Sequence, residues 1–144
     1  MSTASASAPL RLVLLVVALF IAAAGCSADD ASGGIEFLDG VIAETVPEDF
    51  PIPPQSVVGS TLVNRNVDPV FTEMTVRMPA TVPVVALYFT TNLPAREYVI
   101  SFSEAQPTGH VIEFSREALE AEIILRDEGN DITTALIRFN PPQD

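Results

Sequence analysis

The residues of this sequence that could do chemistry are few. His110 is the only histidine and Cys26 the only cysteine. A Ser-His-acid triad needs its imidazole beside a nucleophile and oriented by a carboxylate. No Gly-x-Ser-x-Gly elbow accompanies His110, so it reads as a half-buried residue at a hairpin edge. Zinc takes three or four His, Cys or acidic ligands, more than one histidine and one cysteine supply. The run Asp127-Glu128-Gly129-Asn130-Asp131 is acidic enough to attract a hard cation. A calcium loop, however, places acids at alternate positions before its glycine, and this run reads better as a hairpin turn. Glu117, Glu120 and Glu122 resemble a solvated strand face, without the cleft that paired-carboxylate hydrolysis requires. The expectation is no catalytic residue, no metal and no cofactor.

Cys26 has the more informative surroundings. Arg11 is followed by an uncharged apolar run, Leu12 to Ala24, and then by Gly25 and Cys26. A spanning helix needs about 20 apolar residues, so the run is short for a permanent span and fits the core of a secretory signal. Ala23-Ala24-Gly25-Cys26 resembles the bacterial lipobox. That resemblance implies cleavage between Gly25 and Cys26 and a diacylglycerol thioether on Cys26. It departs from the usual pattern at Ala23, where leucine is commonest. A non-lipidated secretory signal, or an uncleaved anchor, is the alternative. Each buried methylene contributes about 0.8 kcal/mol, and two or more chains anchor stably. With no second cysteine, an internal disulfide is excluded.

The charge supports attachment by lipid alone. All 19 acidic residues follow Cys26, against six of the seven basic ones, and every basic residue is arginine. Such a balance repels nucleic acid and anionic head groups, although solubility alone also accounts for it. Arginine without lysine hints at a high-GC bacterium.

The remaining chain divides in two. Residues 26–49 carry Asp29, Asp30, Glu36, Asp39, Glu44, Glu48 and Asp49 with the Gly33-Gly34 pair and no basic residue. This composition predicts an extended acidic tether, with Phe37-Leu38 and Val41-Ile42 as apolar pairs that could dock. Residues 50–141 predict one domain, entered through the stiff Phe50-Pro51-Ile52-Pro53-Pro54. Ser56 to Asn64 suits a strand. Val70, Thr72, Met74, Val76 and Met78 alternate with polar neighbours, the period of a sheet with one wet face. Val82, Val85, Phe89 and Leu93, widened by Ala86, fall on one helical face, with Thr81 to cap it and Pro94 to end it. Tyr98, Ile100 and Phe102, then His110, Ile112 and Phe114, then Leu119 to Leu125 and Ile132 to Phe139, read as further strands. The fold expected is α+β: an antiparallel sheet of about five to six strands in ββαββββ order, with one helix packed on one face.

This order resembles a group of short actinobacterial lipoproteins. The matching stretches are Asp49-Phe50-Pro51-Ile52-Pro53-Pro54, Leu93-Pro94-Ala95-Arg96-Glu97-Tyr98 and Thr134-Ala135-Leu136-Ile137. The likeness covers about two thirds of the chain, through structural motifs of low specificity. Glu97 stands where the group has glycine, and the group has no activity to carry across.

The expectation is therefore a lipoprotein attached to the bacterial cell membrane through Cys26, on its extracytoplasmic face. Its domain would be a non-catalytic binding or accessory module with an envelope protein as possible partner. A small hydrolase or ligand carrier, with a pocket between helix and sheet, is the alternative. An exposed patch of Phe71, Ile124 and Val99 would favour the first, and a deep polar pocket at His110 the second.

Overall fold

A computed structural model describes residues 34–142. Gly25 and Cys26, the expected signal peptide 1–25 and the first part of the expected tether lie outside these described residues. Seven strands follow in order: β1 (Ile35–Asp39), β2 (Val57–Asn64), β3 (Phe71–Met78), β4 (Val99–Gln106), β5 (Gly109–Arg116), β6 (Leu119–Gly129) and β7 (Ile132–Phe139). The helix α1 (Val82–Asn92) stands between β3 and β4. All seven strands form one antiparallel sheet in the spatial order β1-β2-β3-β7-β6-β5-β4. The helix thus carries the chain from mid-sheet to the far edge, and the meander β4 to β7 returns to close on β3.

The α+β class and the single helix on one face agree with the sequence, but the strand count is seven rather than five to six. The additional strand is β1, which pairs with β2 from Ile35↔Asn64 to Asp39↔Ser60. Residues 35–49 are consequently no tether. Ala43, Val46 and Phe50 are buried, and the domain begins by residue 35, not 50.

The reason is geometric. Seven strands at about 4.8 Å spacing make a sheet roughly 29 Å wide, whereas a helix is about 10 Å across. α1 covers β5, β6 and β7. The segment from Val41 to Ile52 supplies the rest of the roof. Phe50 packs at ring-centroid distances of 5.1 Å on Phe139, 5.9 Å on Phe114 and 6.1 Å on Phe89. On this segment Glu44, Glu48 and Asp49 face water with Val41 and Ile42, while Ala43, Val46 and Phe50 face inward, a division that local composition hides.

The three buried polar residues of the sheet each hold a connecting segment. Thr61 Oγ1 donates to the Val41 carbonyl (2.7 Å), Thr72 shares a 2.6 Å hydroxyl contact with Thr45, and Thr133 Oγ1 donates to the Ala80 carbonyl (2.7 Å). A valine there would fill the volume and leave these groups unpaired in the interior.

Around α1 the expected pattern holds: Val85, Ala86 and Phe89 are buried, as is Leu93 beyond its end. Thr81 occupies the N-cap position with extended backbone but makes no side-chain cap bond. A short 3-10 turn, Pro94–Arg96, ends on Glu97 at φ 66°, the left-handed conformation that glycine adopts most readily. Every buried residue of the core lies between Ala43 and Phe139. The compact unit Ser32–Asp144 accordingly contains the sheet, roof and core entire.

Candidate functional site

Because α1 reaches only as far as β5, the helix-facing side of edge strand β4 is left uncovered. A bulge at Ser101 decides which side chains stand there. Ile100 pairs with Phe114 and Phe102 with Glu113, so one residue is skipped and the alternation shifts. Phe102 moves to the face opposite the helix, correcting its expected place beside Tyr98 and Ile100, while Ser103 and Ala105 turn toward the helix. Both are small and exposed.

The result is a cleft of about 610 Å³ between α1 and the β4–β5 hairpin. Ala86, Leu87 and Thr90 form the helix wall, Ser103 and Ala105 the strand side, and His110 lies on β5 between them. Ser103 Oγ and His110 Nε2 stand 2.9 Å apart. Asp127 lines one end, its Oδ1 accepting the Gly129 N–H at 2.8 Å. Apolar surface predominates, with polar groups supplied by the Ser103–His110 pair and by Thr81, Thr90, Gln106, Thr108 and Asp127. This combination suits a ligand with an apolar body and a hydrogen-bonding group.

Catalysis would ask more of the pair. Ser103 sits on an exposed edge strand, not on the strained strand-to-helix turn that presents a hydrolase nucleophile. The nearby carboxylate, Asp127, is engaged by backbone N–H and does not hold the imidazole. Among the described residues, no group of three or more His, Cys, Asp or Glu is placed to hold a metal ion.

Other residues singled out from the sequence have different roles. The acidic run splits: Asp127 to Gly129 ends β6, and Asn130-Asp131, at φ 53° and 57°, make the tight turn. Glu117 lies in the β5–β6 turn at φ 55°, not on a strand face. Glu122 accepts from Arg138 at 3.0 Å, and Arg138 also donates to Glu73 at 2.8 Å. These carboxylates, Glu73 foremost, raise the Arg138 pKa. The register places Glu73, Arg138, Glu122 and Glu113 in one row across the face away from the helix. That row separates Ile124 from Phe71 and Val99, so the three share a face without forming one patch.

Beyond the other end of α1, Arg116 closes on Asp49 with Nη2–Oδ1 at 2.9 Å and Nη1–Oδ2 at 2.5 Å. Its guanidinium lies 4.1 Å from the Tyr98 ring centroid. The hydrogen bond from Arg116 holds the Asp49 carboxyl below the usual carboxylate range. Burial, with Asp49 adding to it, pushes the Tyr98 phenol up. This cluster locks the roof segment onto the sheet.

A pocket between helix and sheet at His110 was the alternative expected from the sequence, but the cleft's strand side was not legible there. Its determinants are a bulge and the reach of a helix, neither of which has a residue signature. Small residues at alternate positions, Ser103 and Ala105, were the one signal present. Among the described residues, no helix is long and apolar enough to cross a membrane. Compared with protein-family models, curated proteins and solved structures, the chain shows no match.

Proposed function

We propose that this chain is a bacterial lipoprotein of the actinobacterial type, lipid-anchored through Cys26 on the extracytoplasmic face of the cell membrane. Its domain works as a non-catalytic ligand-binding module that uses the helix–sheet pocket of the carrier alternative, since Phe71, Ile124 and Val99 form no single patch. The observation that carries the binding reading is the 610 Å³ cleft beside α1, apolar-walled with the Ser103–His110 pair inside it. The lipobox-like Ala23-Ala24-Gly25-Cys26 supports the anchor. The likeness of the proline-rich entry and the Leu93-Pro94 turn to short lipoproteins supports the class.

A titration of the Ser32–Asp144 domain with phenylnaphthylamine, a neutral apolar dye, tests the cleft. Fluorescence should rise saturably with wild type and be lost with Ala105→Trp, which fills the strand side from an exposed position. Equal binding by both proteins would refute the assignment.

The 2.9 Å Ser103–His110 contact favours one second reading, a small serine hydrolase in the same cleft. Covalent labelling of Ser103 by a fluorophosphonate probe, absent in His110→Ala, would establish that reading in place of the first.

A further inference from the structure

The cleft has a neighbour that changes what it can hold. Among the described residues, β4 is an edge strand whose one strand neighbour is β5. In an antiparallel pair, alternate residues bond across the ladder and the others direct N–H and C=O outward. The outer side of β4 is thus a row of main-chain donors and acceptors, running along the same residues that wall the cleft. Proteins usually blunt such an edge with proline, lysine or a bulge. Here the bulge lies at Ser101, and Phe102 to Gln106 form a regular edge with neither proline nor lysine.

We propose that the edge of β4 and the cleft together take an extended peptide segment, added as an eighth strand. Its aliphatic side chains on alternate residues enter the cleft, and a basic residue lies toward Asp127. The proposal rests on the reading of the cleft as a ligand site and names the ligand class. Strand addition supplies affinity through the main chain and specificity through pockets for alternate side chains. Side chains of an added strand on the helix side fall over Ser103 and Ala105, whose small size leaves the room, against the wall made by Ala86 and Leu87.

Charge selects the peptide. Among the described residues, Asp127 is the one carboxylate lining the cleft and no arginine lines it. Glu104 adds negative charge on the other face of β4. With 19 acidic residues against six arginines after Cys26, a basic segment is drawn in and an acidic one repelled.

Panning a displayed library of random heptapeptides against the Ser32–Asp144 domain tests this. Enriched sequences should alternate aliphatic residues and carry Lys or Arg. A synthetic enriched peptide should lose about tenfold or more in affinity when amides of one alternate register are N-methylated, and keep it when the other register is. Ala105→Trp should weaken it similarly. Leu87→Arg, at a 67% exposed position, serves as a second cleft variant should the first fold poorly. Phe37→Ser, at a 74% exposed position on β1 at the far edge of the sheet, should leave affinity within about twofold. Equal binding by both N-methylated registers, or no enrichment while the dye still binds, overturns strand addition and leaves the cleft reading standing. Failure of both peptide and dye overturns the two together.

Discussion

Arg116, on the fifth strand, grips the carboxylate of Asp49 across 67 positions of sequence while its guanidinium covers the ring of Tyr98. The pair fastens the segment preceding Phe50 to the sheet at the point where the roof must close. Asp49 is exposed on one side, so the contact acts as a latch on packing already made by Phe50 rather than as a source of the fold.

The latch has a pH signature. Arg116 lowers the Asp49 pKa in the folded state, so its contribution is complete above the unfolded carboxylate value of about 3.9 and is lost as pH falls through the lowered one. Wild type should melt above Asp49→Asn at neutral pH, and the two should converge in strong acid. A constant gap at all pH values would contradict the assignment.

Phe50 carries more. Its ring touches four aromatic rings, those of Phe89, Tyr98, Phe114 and Phe139. Phe50→Ala should cost about 3–5 kcal/mol in urea unfolding, a large share of a small domain's stability. A cost below about 1 kcal/mol would mean that residues 41–52 are not a true part of the core.

These residues also mark where the sequence was legible. Alternation gave β3 and the helical period gave α1, because each buries one face against a continuous partner and its pattern records that face. Residues 35–49 were opaque, since Ala43, Val46 and Phe50 are spaced by loop geometry and set among acids. The Ser101 bulge was opaque too: one skipped residue moved Phe102 to the wet face and brought Ser103 and Ala105 into the cleft. Glu97 is a further case, a left-handed turn residue held against its own conformational preference.

Arg138 links Glu73 and Glu122 on the half-exposed outer face. A double-mutant cycle on Glu73 and Arg138 should return about 0.5–1 kcal/mol, falling as salt is raised. A coupling that is absent at low salt would contradict the pairing.

For the anchor, Cys26→Ser should abolish metabolic labelling with palmitate and release the chain from the membrane fraction. Labelling that survives the substitution would refute lipidation at this cysteine.

The most direct test of the cleft as the binding site is an amide-resolved NMR titration of the Ser32–Asp144 domain with phenylnaphthylamine. Shifts should concentrate at Ala86, Leu87, Thr90, Ser103, Ala105 and His110 and leave Glu73 and Glu122 unmoved. Shifts centred on the outer face of the sheet, or none at saturating dye, would contradict the account.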